Sequence, residues 1–330
     1  MQQSNKMNKR RQILKTGISL ASMPLLGSLV SCSKQQQSEQ GADESTSTPQ
    51  AAARLRTESL TETVTMVSGA PGNVLALKTD TGLVLVDSGS AALASSVLLS
   101  LQEGLGDTRV HTLINTHYHP DQTGGNALFG EAGAAIHAHE ITRQWLSADY
   151  YIPAEDRWVE APPAIARPTH TFRNKGELAT GAETIEYGYL LEAHTRGDAY
   201  VLLREANIIA VGDVASPFLD PSLDWYAGGW LGGRVDAMDQ LLTLANTDTQ
   251  FVPAYGPVMS LADFQAERDM MWHLWERCST LVSNGRSAQD MLEAGVMDEI
   301  DRKFDDPYRF LYDVAKGLWA YYTNFGSKTV

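Results

Sequence analysis

Short β-branched or apolar runs, parted at hairpin spacing by glycine-containing turns and followed by helical periodicity, occur in two successive groups along this chain. In the first group Thr63 to Val67, Asn73 to Lys78 and Leu83 to Val86 are separated by Gly69-Ala70-Pro71-Gly72 and Asp80-Thr81-Gly82, so they read as antiparallel strands. Ala91 to Leu105 then has helical spacing, Val110 to Asn115 and Ala134 to His137 are further strands, and Glu140 to Ser147 is a short helix. The second group begins near Glu183 and continues through Tyr187 to Glu192, Ala199 to Arg204 and Asn207 to Val211 before Leu231 to Leu244 turns helical. A sheet must bury a face. Two β-rich halves that each end in helices therefore predict an α/β chain of the αββα sandwich type, two facing sheets with helices outside. With 43% hydrophobic residues among 330, the apolar side chains to fill such a core are present. Ser260-Leu261-Ala262-Asp263 has the form of a capping box, and Leu261, Phe264, Met271, Leu274, Trp275, Cys278 and Leu281 follow it at helical spacing. This opens a C-terminal helical extension over 259–330.

The amino terminus reads as an address. Residues 1–31 carry five basic side chains and no acidic one, with Arg10-Arg11 ahead of an uncharged stretch, Thr16 to Ser31, that is too short and too rich in Gly and Ser for a lasting membrane span. This signal peptide resembles a twin-arginine export signal, and Leu29-Val30-Ser31-Cys32 resembles a lipoprotein cleavage box that places a lipid on Cys32. The expected location is the periplasmic side of a bacterial membrane, with the membrane met only through that anchor. Residues 32–59 are expected to be a flexible tether, since Ser33 to Ala53 has almost no large apolar side chain to offset its ordering entropy. Removing residues 1–31 takes the formal charge from −14 to −19, and no dense Lys/Arg run follows, which excludes a nucleic-acid partner. A small-molecule substrate is the expected partner, and no protein partner is legible. Lipidated Cys32 leaves Cys278 as a single thiol, placed on an apolar stripe as a small buried hydrophobe.

The chemistry gathers at four strand ends. Ile114-Asn115-Thr116-His117-Tyr118-His119-Pro120-Asp121-Gln122-Thr123-Gly124-Gly125-Asn126 leaves a strand and presents two imidazoles at i and i+2, which an extended backbone projects to one side. His194, in Glu192-Ala193-His194-Thr195-Arg196-Gly197-Asp198, supplies a third. Asp213, in Val211-Gly212-Asp213-Val214, ends a hydrophobic strand with a carboxylate, and Pro253-Ala254-Tyr255-Gly256-Pro257 closes the series. Imidazole is a common zinc ligand, and a catalytic zinc takes three protein ligands and leaves one position open. From about Glu62 to Pro257 these ordered motifs resemble the metallo-β-lactamase superfamily, whose pattern is HxHxDH, then His, Asp and His. The resemblance implies the αββα sandwich, here 60–258, and a metal site in the cleft between the sheets. It also implies the ligands: His117, His119 and His194 for the first metal, Asp121 and the bridging-type Asp213 for the second.

Two departures qualify it. The family's HxHxDH ends here in Gln122, and the last His corresponds to Tyr255; both lost imidazoles normally serve the second metal. One tight zinc and at most one weak ion are expected, with the Gln122 carbonyl oxygen as a possible weak ligand. The implied reaction is hydrolysis of an ester, thioester, lactone or lactam by metal-activated water, with Asp121 orienting that water and taking its proton. Tyr255 either donates to an oxyanion or leaving group, or packs into the volume of the lost ligand. Two other readings stand beside this one. His117, His194 and Asp213 also form a two-His, one-carboxylate iron set, as in the superfamily's persulfide dioxygenases; alternatively, the chain is a degenerate member that binds metal without turnover. His137-Ala138-His139-Glu140, His111, His170 and His273 are expected to be structural, Asp198 to support a ligand from behind or to serve a turn, and Asp87 to brace the site. Asp149 to Pro168 is long enough for a lid, and Asp224-Trp225-Tyr226-Ala227-Gly228-Gly229-Trp230 offers an aromatic wall; the two either grip an apolar or aromatic acyl group or merely cap the sandwich.

Overall fold

Alternation along each strand decides the layers. The computed structural model describes residues 55–153 and 155–326; the export signal 1–31, Cys32 and the tether up to residue 54 lie outside the described residues. Strands β1 (Arg56–Ser59), β2 (Val64–Ser68), β3 (Val74–Thr79) and β4 (Gly82–Val86) form an antiparallel meander, joined in parallel by β5 (Val110–Ile114) and β6 (Ala135–His139). A separate two-stranded hairpin, β7 (Tyr150–Ile152) and β8 (Arg157–Val159), stands within the expected lid before β9 (His170–Phe172) completes the seven-stranded sheet beside β6. The second sheet has the order β10 (Lys175–Ala179), β11 (Thr184–Tyr189), β12 (Ala199–Leu203), β13 (Ile208–Gly212), β14 (Gln250–Pro253), antiparallel except for its last, parallel pair.

Alternate residues of the central strands of the two sheets point into one shared core. Val64, Met66, Leu75, Leu77, Val84 and Val86 from the first sheet meet Ile185, Val201, Leu203, Ile208 and Val252 from the second. The alternate residues of the first sheet, among them Val74, Ala76, Leu83 and Leu85, pack outward on Val97 and Leu101 of α1 (Ala94–Leu105). The short helices α2 (Pro120–Thr123), α3 (Asn126–Glu131) and α4 (Glu140–Trp145) follow the parallel strands. On the far side Leu202, Ile209 and Phe251 share one cluster with α5 (Leu231–Leu242), α6 (Leu261–Ser283), α7 (Ala288–Glu293) and α8 (Pro307–Gly326). The αββα order is therefore present, with the C-terminal helices fused to its second helical layer. The Ser260 capping box forms as read, and Cys278 is fully buried in that layer.

Three strands escape the apolar pattern. β1 begins at Arg56, inside the stretch expected to be tether, and β9 and β10 precede the Glu183 start expected for the second strand group. Each lies at a sheet edge, and the side chains of β1 are all exposed. An edge strand is held by its backbone ladder, which leaves little hydrophobic signature. Conversely, Leu190 to Glu192 is not strand: β11 ends at Tyr189, and Glu192 takes a left-handed φ of 50° as the chain turns towards His194. Among the described residues no helix is long and apolar enough to cross a membrane.

Candidate metal centre

The turn after β5 carries the first two imidazoles. Asp87, at the end of β4 with a left-handed φ of 59°, accepts from the Thr116 amide at 2.8 Å and the Thr116 hydroxyl at 2.7 Å, fixing the residue that precedes His117. Thr116 Oγ1 in turn lies 3.1 Å from His117 Nδ1, which leaves Nε2 to face the cleft. His194 follows β11 in a turn stapled by Asp198, which accepts from the Thr195 amide at 2.6 Å and the Thr195 hydroxyl at 2.8 Å. Asp213 directly follows β13, where Gly212 (φ 56°) packs against the Thr116 side chain.

These elements bring His117, His119, His194 and Asp213 together, with one potential ligand atom from each lying within 4.8 Å of the others. The three ring centroids form a near-equilateral triangle with sides of 4.7, 4.9 and 5.0 Å. His117 Nε2 is 3.0 Å from His119 Nδ1 and 3.3 Å from Asp213 Oδ2. Both nitrogens of His194 are buried and have no hydrogen-bond partner, Nδ1 standing 3.6 Å from Asp198. A buried imidazole with no partner is costly unless something else completes it. The donor set therefore fits a divalent cation, and three imidazoles with one carboxylate are ligands suited to zinc.

Electrostatics make the same demand. Burial opposes a charged His117 ring, yet the Asp213 carboxylate outweighs it and holds the imidazole protonated well above its ordinary range. Burial likewise opposes ionisation of Asp213, but the surrounding histidines pull its carboxyl below the usual range. The cluster is built around positive charge, which protons supply in part when no cation is bound.

Asp224 is the functional residue that sequence reasoning overlooked, having placed it only in the aromatic wall. Its Oδ2 lies 2.5 Å from His119 Nε2 and accepts from the Tyr118 hydroxyl at 2.6 Å, so the outer nitrogen of His119 is anchored while Nδ1 faces the cluster. Burial works against its charge, but the His119 ring overcomes this and keeps Asp224 ionised. The available signal was a carboxylate set between Leu223 and Trp225, where a buried charge requires a partner. The segment from Asp213 to Asp224 is itself clamped. Arg234 of α5, wholly buried, donates to Ser216 Oγ at 2.7 Å and to the Ser222 carbonyl at 3.0 Å. Glu267 of α6 accepts from the Ser216 amide at 2.6 Å and stands 3.9 Å from the guanidinium.

The second half-site is arranged differently. Asp121, expected among the ligands, stands outside the four-residue cluster; its Oδ2 accepts from the Tyr255 hydroxyl and, at 3.2 Å, from Gln122 Nε2. The Tyr255 hydroxyl donates its hydrogen bond to Asp121 in this structure. Burial, then the Asp121 carboxylate, push the Tyr255 phenol far above its ordinary value, which keeps it a neutral donor. Asn73 holds the Tyr255 turn by donating to the Pro253 carbonyl at 2.8 Å and the Gly256 carbonyl at 3.0 Å. Gln122 Oε1 is buried without a partner, and a Cβ at Gly72 would collide with this carboxamide. A cleft of about 240 Å³ opens onto His119 and Asp121, walled by Tyr150, Arg157, Asp224 and Arg309, and one of about 230 Å³ reaches Asp213 and Tyr255. The lid segment and α8 thus both contribute walls.

The remaining histidines have structural partners. His137 stacks on His170 with centroids 4.6 Å apart, and His139 stacks on Tyr189 at 4.0 Å while capping α4. His111 sits among Thr79, Thr81 and Thr112, and His273 pairs with Glu299 at 2.8 Å.

Comparison with known proteins assigns the family. The metallo-beta-lactamase superfamily model matches residues 67–251. The chain belongs to this superfamily. Its members are generally metal-dependent hydrolases, and the four-residue cluster lies within the matched stretch. Metallo-beta-lactamase type 2 of Bacillus cereus is 25% identical over 188 residues, covering 57% of this chain and 68% of that protein. The 2,4-dinitroanisole O-demethylase subunit alpha of Nocardioides sp. (strain JS1661) is 25% identical over 267 residues, covering 78% of this chain and 71% of that protein. In fold, the metallo-beta-lactamase from Pontibacter korlensis superposes with a TM-score of 0.55 at 19% identity, over 66% of this chain and 99% of that one.

Proposed function

We propose that this protein is a zinc-dependent hydrolase that cleaves an ester, thioester, lactone or lactam with water, using one tightly held ion. The observation that carries the reading is the convergence of His117, His119 and His194 at a cluster where neither buried His194 nitrogen has a hydrogen-bond partner. Zinc held there supplies a Lewis acid and acidifies water to a pKa near 7. Asp121 lines the cleft beside His119, and in this reading its carboxylate would orient a water there and accept its proton. Tyr255 and Gln122 hold Asp121 in position, acting on the substrate only through it. Their hydrogen bonds both fall on Oδ2 of the carboxylate that a second ion would use, which favours the single tight site.

The test is metal analysis of protein purified without chelators, joined to turnover of an ester, thioester, lactone and lactam panel. One zinc per chain with hydrolysis in that panel is the expected outcome, lost together in His117→Ala; wild-type activity in His117→Ala rejects the assignment. Aryl ethers belong in the panel because of the similarity to an O-demethylase of 2,4-dinitroanisole. A second reading rests on Asp213 standing within the cluster, since His117, His194 and Asp213 also suit iron. Iron with oxygen uptake selects that reading, and tight metal without turnover marks a degenerate member. From the sequence alone we also propose twin-arginine export to the periplasm and lipidation at Cys32; loss of membrane association in Cys32→Ala, with the lipid seen by mass spectrometry of the wild-type N-terminal peptide, checks it.

A further inference from the structure

The two clefts that reach the metal cluster, of about 240 and 230 Å³, have His119, Asp121 and Ser222 in common. His119 belongs to the clustered imidazoles, and Asp121 is the carboxylate tied to Tyr255 and Gln122. Ser222 is the exposed member of the three. Pro221 and Leu223 on either side of it are buried, which leaves the Ser222 side chain on the open side, in the wall of both clefts. Among the described residues its hydroxyl has no hydrogen-bond partner.

The backbone that carries this hydroxyl is held firmly. The Ser222 carbonyl accepts from the wholly buried Arg234 at 3.0 Å. Two residues on, the Asp224 amide donates to the His194 carbonyl at 3.0 Å, and the Asp224 carboxylate stands 2.5 Å from His119 Nε2. Ser222 is therefore kept at a fixed place relative to two of the clustered imidazoles.

The rest of the lining offers mostly acceptors. Asp121, Asp213, Asp220, Asp224, Glu155 and Asp313 all border these clefts. The other donors are engaged or sealed. Tyr255 donates to Asp121, Ser216 Oγ is buried against Arg234, and Arg157 and Arg309 are paired with Glu155 and Asp313. The Tyr226 hydroxyl lies against Asp224, and that of Tyr150 is sealed from solvent. An oxygen gaining negative charge among so many carboxylates needs a donor already in place.

We propose that Ser222 is a catalytic residue of this cleft, its hydroxyl donating a hydrogen bond to the substrate's carbonyl oxygen as negative charge builds there. The inference rests on the hydrolase reading. In that reaction the water oxygen bonds to the carbonyl carbon while a water proton passes to Asp121, and the carbonyl π pair moves onto the oxygen that Ser222 meets. When that pair returns, the bond to the leaving atom breaks, and the leaving atom keeps the bonding pair and takes the proton from Asp121. Ser222 gives up no proton at any step.

The test compares Ser222→Ala and Ser222→Val with Ser222→Thr, since valine and threonine have one shape and differ in the hydroxyl. On whichever panel substrate the wild type cleaves, kcat should fall about tenfold or more in the alanine and valine variants, with KM little changed, and recover largely in Ser222→Thr. Zinc affinity, read by chelator competition, should stay the same in all of them. A readout apart from turnover is calorimetric titration of phenylphosphonate, a tetrahedral anion, into the zinc-loaded full-length chain. Its binding should weaken several-fold in Ser222→Ala and Ser222→Val and hold in Ser222→Thr. If neither measurement separates the hydroxyl-bearing from the hydroxyl-free forms, the proposal is overturned. Phosphonate binding that follows the hydroxyl, in a protein that cleaves no member of the panel, keeps the Ser222 contact and removes the hydrolase reading instead.

Discussion

The two halves of the metal cleft start from one inherited pattern and end in opposite states. At His117, His119 and His194 the outward nitrogens of two rings are anchored, by Thr116 and Asp224, while neither nitrogen of His194 has a hydrogen-bond partner. At Asp121, Gln122 and Tyr255 the carboxylate has already found donors within the protein. One half leaves a buried imidazole without a hydrogen-bond partner, and the other ties a carboxylate oxygen to two donors of the protein. Under the proposed reading, the identity of these donors sets how many ions the cleft holds.

The sharpest way to break this contrast is His194→Ala, which should reduce bound zinc and hydrolysis to background, read by elemental analysis and initial rates on one preparation. Restoring the missing imidazoles with Gln122→His and Tyr255→His should raise the zinc content from one ion per chain to two; a wild type that already holds two tight ions erases the distinction. Asp224→Asn should weaken zinc binding by about 10–100-fold, because it loosens the ring of His119, whereas Asp121→Asn should change it far less. Competition with a chromophoric chelator measures both.

Acidity sharpens the comparison further. His117, held protonated towards a value of about 10 by Asp213, must lose that proton to bind metal. Zinc affinity should therefore climb with pH, about tenfold per unit for one displaced proton, as followed by calorimetry in buffers of different ionisation enthalpy. In the metal-free chain the sign reverses: a raised histidine pKa contributes stability that is complete below about 6.5 and is lost as pH rises through about 10. The smallest effect is expected of Tyr255→Phe, a few-fold loss in kcat with zinc content unchanged, since only the orientation of Asp121 is disturbed.

What could be read beforehand follows from what each residue advertises. His117, His119, His194 and Asp213 stand at strand ends in a fixed order, so both the sandwich and its ligand cluster were legible. Asp224 was not, because it acts through a contact to His119 that only the folded chain makes. Likewise β2 to β6 are buried almost throughout, whereas β1 shows only exposed side chains on a backbone ladder.

The clamp formed by Arg234 and Glu267 ties this chemistry to a part of the chain the family pattern does not include. Shortening the protein to its recognisable core would strip away the carboxylate that faces a guanidinium sealed from water, at a cost of about 3–5 kcal/mol. Both ends of the span from Asp213 to Asp224 would then slacken at once. The first of the helices after residue 258 thus braces the segment that carries Asp213 and Asp224, and engineering that treats it as dispensable would loosen the cleft from behind.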